Sequence, residues 1–207
     1  MQQDDLALAA PFPRTFIHQI ASIVQRLDLA AMFPQPQPLE VELGSGDGSF
    51  LANYAKLHPG RNFIGVERLL GRLRKLDRKA LRAGLTNLRA LRIESAYFLE
   101  YLLPPRSASA LHIYFPDPWP KRKHRKNRLI NERFPQIAAQ ALIPGGFVWL
   151  RTDDEDYFNQ MVTSFAANSS FRLVETPADL TAVVTDFERN FHDRGVPTLR
   201  AAYAQED

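Results

Sequence analysis

The run Leu-Glu-Val-Glu-Leu-Gly-Ser-Gly-Asp-Gly, residues 39–48, decides the fold of this chain. Its first half alternates aliphatic residues with glutamate, which is typical of a β-strand, and its second half holds three glycines that favour a tight turn. A helical stretch, residues 49–57, follows at once. A strand, a glycine-rich turn and a helix in this order form the place where α/β proteins bind nucleotide-like cofactors. We therefore expect a cofactor site at this turn.

Strands and helices alternate along the rest of the chain. Apolar runs predict seven strands, at residues 39–43, 62–66, 88–93, 108–114, 147–151, 171–175 and 196–202. Helical periodicity predicts the intervening helices, at residues 49–57, 68–83, 96–103, 129–142 and 154–168. Such alternation predicts an α/β fold with a Rossmann-like, doubly wound and mostly parallel sheet that binds its ligands at the carboxyl ends of the strands.

An N-terminal region, residues 1–38, precedes this domain, which we place at residues 39–207. The residues before about 15 predict a loose arm. Residues 15–33 predict an amphipathic helix, because apolar side chains recur there at helical spacing. These side chains are Phe16, Ile20, Ile23, Val24 and Leu27. We therefore expect a helical extension at the N-terminus.

Composition limits the compartment and the class of protein. The chain has 207 residues and no cysteine, which excludes disulfides and thiolate metal sites. No apolar run is long enough to span a bilayer, and the first residues do not form a signal peptide. The histidines also lack the spacing of metal ligands. We therefore predict a cytoplasmic protein with neither a membrane span nor a metal.

Charge is distributed unevenly, although the net charge is only +3. Residues 68–82 hold seven basic side chains against one acid, and residues 121–128 hold six more with no acid. From residue 151 to the end there are five basic and eleven acidic side chains. This asymmetry predicts a face that binds a polyanion.

The acids near the glycine turn discriminate between cofactors. Glu42 comes just before Gly44, Gly46 and Gly48, and a carboxylate there would repel the pyrophosphate of a nicotinamide dinucleotide. S-adenosylmethionine instead carries a sulfonium and an ammonium, which acids attract. Asp47 is a second acid of this kind. The turn therefore favours S-adenosylmethionine.

The ends of the next two strands supply the rest of the predicted cofactor site. Glu67 ends the second strand, where a carboxylate can accept hydrogen bonds from both ribose hydroxyls of either cofactor. The structural alternative for Glu67 is a surface ion pair with Arg68 or Arg72. Glu94 and Ser95 follow the third strand and can reach the adenine edge or remain structural.

A second stretch, residues 114–128, changes character within a few positions: Tyr-Phe-Pro-Asp-Pro-Trp-Pro-Lys-Arg-Lys-His-Arg-Lys-Asn-Arg. Its three prolines end the preceding strand and stiffen the loop. Asp117 then presents a carboxylate, and Trp119 presents a ring on which a base can stack. The alternatives are a proline-rich turn before a solvated basic helix, and a core or lid position for Trp119.

With these residues in place, the chain resembles the tRNA (guanine-N7)-methyltransferases, which have the class I methyltransferase fold. The resemblance covers most of the chain from residue 40 to residue 197. Its most specific parts are the proline loop together with a later Thr-x-Phe-Glu segment. It rests on Glu-Leu-Gly-Ser-Gly-Asp-Gly at 42–48, Gly-Val-Glu at 65–67, Phe-Pro-Asp-Pro-Trp-Pro-Lys at 115–121, Arg-Thr-Asp at 151–153 and Thr-Asp-Phe-Glu at 185–188.

The resemblance implies roles residue by residue. Glu42, Glu67, the Glu94–Ser95 position and Asp117 would contact S-adenosylmethionine or line its reacting end, with Asp117 as the catalytic residue. The residues implied to contact the tRNA guanosine are Lys121, Asp153, Thr185, Asp186, Phe187 and Glu188. The family usually has Asp or Asn where Ser95 stands, which leaves open whether Glu94 or Ser95 meets the adenine. The implied target is guanine 46, in the variable loop of tRNA.

The residues themselves leave other readings open. Asp153 and Asp154 can cap the helix that starts near residue 154, and Thr185 with Glu188 fits a capping box. Arg125, Lys126 and Arg128, with Lys121, are candidates for RNA phosphate contacts. The competing functions are methylation of another nucleic-acid or protein nitrogen, and a non-catalytic RNA-binding module of the same fold. The sequence does not decide between a monomer and a homodimer.

Overall fold

A computed structural model describes residues 14–206 and contains the predicted sheet. The seven strands are β1 (Leu39–Leu43), β2 (Asn62–Val66), β3 (Leu88–Leu91), β4 (Ala108–Tyr114), β5 (Leu142–Thr152), β6 (Phe171–Val174) and β7 (Leu199–Gln205). Their order is β3-β2-β1-β4-β5-β7-β6. β1 to β5 pair in parallel, whereas β7 runs antiparallel to both β5 and β6. The predicted fold class is confirmed.

Helices cover both faces of the sheet. They are α1 (Leu29–Met32), α2 (Leu51–Leu57), α3 (Leu70–Arg82), α4 (Ser95–Tyr97), α5 (Phe134–Ala141), α6 (Glu155–Ala166), α7 (Ala178–Ala182) and α8 (Asp186–His192). A π-helical turn (Phe98–Leu102) continues α4, and a 3-10 segment (Arg122–Asn127) follows the proline loop. Two apolar cores result, one on each face of the sheet, because the central strands are buried on both sides.

The strand order places the site. β1 lies between β2 and β4. From β1 the strands are added in one direction as far as β3, and β4 is then added on the opposite side of β1, so the strand order reverses there. The carboxyl ends of β1 and β4 therefore open a crevice, which is where doubly wound sheets bind their ligands. The glycine turn follows β1, and the proline loop follows β4. The two stretches singled out in the sequence thus meet at one edge.

The predicted helix at residues 15–33 is wrong, apart from the single turn of α1. The start of this segment, residues 16–18, pairs with the edge of β3, where Ile17 forms a parallel bridge with Ala90. The Ala90 amide donates to the Phe16 carbonyl at 2.8 Å, and the His18 amide donates to the Ala90 carbonyl at 2.9 Å. The edge of the sheet thus satisfies backbone groups that a helix would have bonded internally. The arm predicted before residue 15 lies almost wholly outside the described residues.

Two smaller differences concern β5 and its neighbours. Residues 144–146, which separate the predicted helix at 129–142 from the predicted strand at 147–151, lie inside β5 as a bulge, because Leu142 pairs with Ala108 and Phe147 with Ala110. Gly145 has a φ of 74° there, which favours glycine. The helix predicted at 129–142 begins only at Phe134, and the last strand is shifted by about three residues towards the C-terminus.

Candidate active site

Some of the predicted cofactor and reaction residues line one cavity of about 220 Å³ at the carboxyl edge of the sheet, whereas Glu42, Gly46 and Gly48 do not line it. Its wall is made by the ends of β1, β2 and β4, the start of α4 and the proline loop. The predicted residues in that wall are Gly44, Glu67, Glu94, Ser95, Asp117 and Trp119. A cavity therefore joins the glycine turn to the catalytic carboxylate proposed from sequence.

The glycine turn is held close to the neighbouring elements. The amides of Gly44 and Ser45 both donate to the Val66 carbonyl at 2.9 Å, which fixes the turn to β2. Gly48 has a φ of 75°, and a Cβ added there would lie 2.3 Å from a methyl group of Leu76. Glycine is therefore required at this position for both the backbone conformation and the packing of α3. Gly44 and Gly46 also have positive φ, at 83° and 55°.

Glu67 is buried at the floor of the cavity. Its carboxylate accepts hydrogen bonds from the Gly46 amide at 3.1 Å and from the Leu69 amide at 2.7 Å. Among the residues that the structure describes, it forms no ion pair with Arg68 or Arg72, so the alternative of a surface salt bridge is not supported. Each carboxylate oxygen has a further lone pair that can accept from a ligand hydroxyl.

Glu42 is a buried acid without a hydrogen-bond partner for its Oε2 atom within residues 14–206. Burial raises the pKa of Glu42 to about 8; the charge of Arg151 opposes this shift, while Asp47 and Glu67 add to it. Asp47 itself pairs with the Lys79 ammonium at 3.0 Å. An unpaired buried carboxyl under the glycine turn fits a cofactor that brings a positive charge.

The adenine end of the predicted site is formed by the start of α4. Glu94 caps this helix, because its carboxylate accepts from the amides of Ala96 at 2.9 Å and Tyr97 at 2.8 Å. The half-buried Ser95 hydroxyl has no hydrogen bond within the described part of the chain. Both residues line the cavity. The geometry thus gives Glu94 a structural bond and leaves Ser95 the freer of the two.

The proline loop presents its carboxylate to solvent. Asp117 is exposed, and its carboxylate accepts no hydrogen bond from the residues described. Phe115 and Trp119 on either side have φ values of 50° and 45°, a left-handed conformation that costs energy in residues other than glycine. The Trp119 ring contacts the His124 ring edge to face at 5.9 Å between centroids. The loop is strained, stiff and open towards the cavity.

The structure corrects the surface position expected for Arg128. Its side chain is buried, and its guanidinium donates to the Pro118 carbonyl at 2.7 Å, Gln160 at 2.8 Å and Asp156 at 2.6 Å. The guanidinium also lies over the Tyr157 ring, 4.7 Å from its centroid. Because all three nitrogen atoms bind protein groups, Arg128 anchors the proline loop to α6 and is not placed to bind a phosphate.

The other predicted phosphate contacts are accessible. Lys121 and Lys126 are exposed and make no ion pair within the described range. Arg125 is also exposed, although its guanidinium lies 3.1 Å from Asp156. The loop thus keeps a cationic outer side while Arg128 holds its inner side.

Two adjacent acids, Asp153 and Asp154, follow β5, and the second of them caps α6. Asp154 caps α6, accepting from the Tyr157 amide at 2.7 Å. The half-buried Asp153 carboxylate accepts no hydrogen bond anywhere in residues 14–206. The helix cap is therefore Asp154, and the Asp153 carboxylate remains free to contact a substrate.

Thr185 and Glu188, both predicted to contact guanosine, make structural contacts in this fold. They form a capping box at the start of α8. Glu188 is fully buried and pairs with Arg151 at 2.9 Å and with Arg200. Burial alone would raise the pKa of Glu188, but the charges of Arg151 and Arg200 hold it below its ordinary value. Both side chains are therefore removed from the surface that a base could reach.

The accessible half of this segment is Asp186 and Phe187. The Asp186 amide donates to the Ser49 hydroxyl at 3.2 Å, which fixes α8 next to the glycine turn. Phe187 leaves 48% of its surface exposed, so its ring is accessible. These two residues stay candidates for the substrate.

Sequence reasoning missed a buried polar network under the site. His112 bonds Glu40 at 2.7 Å and the Tyr114 hydroxyl at 2.8 Å, and Arg61 lies 2.7 Å from Glu40. Burial lowers the pKa of His112, although the hydrogen bond to Glu40 opposes this shift. Arg151 lies over the Tyr114 ring, 4.4 Å from its centroid. Charged residues inside otherwise apolar strands were the signal that could have revealed this network.

Comparison with solved structures defines the class of the fold. The chain superimposes on the 16S rRNA methyltransferase KamB with a TM-score of 0.64 and 16% identity, covering 88% of this chain and 95% of that one. It superimposes on a 30S ribosomal A1408 methyltransferase from an uncultured bacterium with a TM-score of 0.61 and 19% identity, over 86% and 92% of the two chains. The fold is that of a class I methyltransferase.

Sequence comparison identifies the family within that class. The profile of the methyltransferase family Methyltransf_4 matches residues 36–201. A tRNA (guanine-N(7)-)-methyltransferase of Hydrogenovibrio crunogenus is 34% identical over 82% of this chain and 72% of its own length. That of Bordetella pertussis is 32% identical over 88% and 80%, and that of Syntrophotalea carbinolica is 37% identical over 76% and 66%. The chain belongs to the tRNA (guanine-N(7)-)-methyltransferase family.

No helix between residues 14 and 206 is both long and apolar enough to cross a membrane. No group of three or more histidines and acids in the same range could hold a metal ion.

Proposed function

We propose that this chain transfers a methyl group from S-adenosylmethionine to N7 of a guanine in tRNA. By resemblance, the target is guanine 46 in the variable loop of tRNA, and we place the protein in the cytoplasm. The observation that carries the proposal is the shared cavity, which is lined by Asp117, whose carboxylate has no hydrogen bond among the described residues, and also by Gly44 and Glu67.

The residues around the cavity fit the cofactor. The buried carboxyl of Glu42 and the buried Ser45 hydroxyl lack partners among the residues described, which suits a ligand with an ammonium and hydrogen-bonding groups. Glu67 would accept from the ribose hydroxyls, and Ser95 would meet the adenine edge. Gly44, Gly46 and Gly48 allow the backbone to approach the methionine part.

The reaction asks for alignment and not for a base. Guanine N7 carries a lone pair and no proton, and S-adenosylmethionine, when bound, supplies an electrophilic methyl group. The protein must hold the purine in line with that methyl, and such positioning can lower a barrier by about 7–11 kcal/mol. The stiffness of the proline loop serves this purpose, because it limits the positions open to Asp117.

Asp117 and Asp153 are the carboxylates available to the purine. Positive charge moves onto the base during transfer, and a nearby carboxylate stabilises that charge or accepts from the N1 and N2 donors. Trp119 and Phe187 offer rings on which the base can stack. Lys121, Arg125 and Lys126 would contact phosphates beside the target nucleotide.

Incubation with labelled S-adenosylmethionine and an unmodified tRNA transcript tests the proposal. We expect label in the tRNA, and strand scission selective for N7-methylguanosine should map it to one guanine. A transcript with adenine at that position is the matched control and should stay unlabelled. Label found instead in ribosomal RNA, DNA or protein, or at another atom of tRNA, would refute the proposed function.

A further inference from the structure

The helix α3 carries a row of cations that the proposed reaction does not use. We call the α3 stripe the set Arg72, Lys75, Lys79 and Arg82, whose spacing of three, four and three residues keeps them on one side of a helix. Leu73, Leu76 and Ala80 occupy the buried side of the same helix. The stripe extends over about 15 Å at the helical rise of 1.5 Å per residue.

The stripe starts at the cofactor cavity. Arg72 lines that cavity together with Arg68, which lies just before α3. At the middle of the stripe, the Lys79 ammonium lies 3.0 Å from Asp47 in the glycine turn and 3.8 Å from Asp186 at the start of α8. These contacts place the stripe beside the segment to which Phe187 belongs.

The far end of the stripe reaches a surface groove. Arg82 and Lys79 line it together with Lys56 of α2. Asn53, whose amide donates to the Ser49 carbonyl at 2.8 Å, and one acid, Asp186, also line this groove. The row of cations is therefore continuous from the cofactor cavity to the groove.

The positive charge of the stripe is largely uncompensated. Within the described chain, Arg72, Lys75 and Arg82 form no ion pair, and only Lys79 does. Lys75 and Lys79 are four residues apart, a spacing at which like charges repel. The single acid of α3, Asp77, is occupied by the Phe16 amide at 2.6 Å and the Thr15 hydroxyl at 3.1 Å.

The helix dipole adds to the repulsion between the positive charges at the N-terminal end of α3. The first turn of α3 holds no acid, and Arg72 lies near the positive end of the helix dipole. A helix with these charges is less stable alone than it would be with mixed charges. Its arrangement is the one expected of a surface that is completed by an anionic ligand.

We propose that the α3 stripe binds a second segment of the tRNA backbone, away from the methylated nucleotide. This inference rests on the proposed function and names a partner surface beyond the basic loop at residues 121–128. Both surfaces reach the same cavity, since Trp119 and Asn127 of the loop side line it with Arg68 and Arg72. A tRNA whose guanine enters the cavity therefore has phosphates within reach of α3.

The double variant Lys75→Gln/Arg82→Gln tests the stripe without touching a residue that lines the cofactor cavity. We expect the tRNA dissociation constant and KM to rise about fivefold or more, with kcat at saturating tRNA unchanged. The slope of log affinity against log salt should fall by about 1 for each lost contact. Cofactor affinity by calorimetry and the melting temperature should stay at the wild-type values, which shows that the fold is intact.

The double variant Arg106→Gln/Arg172→Gln is the matched control. It removes the same charge from exposed positions before β4 and on β6, at other parts of the sheet. We expect it to bind tRNA within twofold of wild type. Equal losses in the two double variants would show a general effect of net charge and would overturn the proposal.

A short RNA hairpin that carries only the target guanine sharpens the test. Wild type should bind the hairpin less tightly than tRNA, and the stripe variant should bind it as wild type does. Unchanged affinity of the stripe variant for tRNA would overturn the proposal. A variant that binds anionic lipid vesicles less tightly than wild type but binds tRNA equally well would also overturn it. These binding results can be read even if wild type methylates no tRNA, so the two proposals fail separately.

Discussion

The charged groups at the carboxyl edge of the sheet form two regions with opposite properties. The floor consists of Glu42, Glu67, Arg151 and Glu188, all of which are buried. Except for Glu42, their charges are bonded to backbone or to partner side chains. The rim consists of Asp117, Asp153, Lys121, Lys126 and Phe187, and its carboxylates accept no hydrogen bonds within the described residues.

This difference separates structural charge from charge available to a substrate. A buried charge must be paired, so its removal leaves a partner uncompensated and destabilises the fold. An exposed carboxylate without a partner contributes little to stability, so its removal should change only what it touches in the complex. The comparison therefore predicts loss of stability from floor variants and loss of activity from rim variants.

The largest expected effect is on stability, from Glu188→Ala. The substitution leaves Arg151 buried without its carboxylate and breaks the cap of α8, which should cost about 3–5 kcal/mol. Urea unfolding followed by circular dichroism measures it. A variant of wild-type stability that has lost tRNA binding would place Glu188 on the rim and break the comparison.

Asp117→Ala should have the largest effect on activity. Removing a preorganised carboxylate at the reacting base is expected to lower kcat/KM about 100- to 1000-fold. Melting temperature should be unchanged, because Asp117 is exposed and bonded to no described residue. Near-wild-type turnover on tRNA would contradict its role, and Asp153→Ala provides a second rim position for comparison.

Arg128→Gln should give a mixed result, since Arg128 supports the rim from below. Loss of its bonds to Pro118 and α6 loosens the loop that carries Asp117, and misplacement of this order lowers kcat roughly ten- to hundredfold. Cofactor affinity should be unaffected. The control is Arg125→Gln, which removes the other partner of Asp156 and should change KM for tRNA more than kcat. If Arg128→Gln changed only KM and not kcat, Arg128 would not be the residue that positions the loop carrying Asp117.

Glu42 gives the floor a dependence on pH. Its folded-state pKa of about 8 lies above the unfolded value, so the native protein binds the extra proton between about pH 4.5 and 8. Stability should therefore fall as pH rises through this window, by up to about 1.4 kcal/mol per pH unit. Glu42→Gln should remove this slope. The measurement is the free energy of unfolding of wild type and variant at pH 5 and at pH 8. An equal change between the two pH values in both proteins would contradict the raised pKa of Glu42.

The smallest expected effect comes from the double variant Lys121→Gln/Lys126→Gln on the rim. Exposed cations contribute mainly through phosphates, so the variant should weaken tRNA binding a few-fold and lower the salt slope by about 1 per contact. Fluorescence anisotropy at several salt concentrations measures both. An unchanged slope would mean that the basic loop faces solvent in the complex.

Much of the fold and site could be predicted from local sequence. The strand that ends at Leu43 and the turn through Gly48 follow from side-chain period and from the φ values that glycine allows. The proline loop places Asp117 at a strand end for an equally local reason. The failed helix at residues 15–33 shows the limit, because its apolar spacing suits a helix but the edge of β3 offered backbone partners that no local pattern reveals.

The sequence by itself determined the order of strands and helices, the positions of the glycine turn and proline loop, and the concentration of basic residues. These depend on interactions between residues close in the chain. Only the tertiary structure decided that Glu188 and Arg128 are buried while Asp117 and Asp153 remain free. Whether a charge is paired depends on groups far apart in sequence, as Arg151 and Glu188 are, and folding alone brings them together.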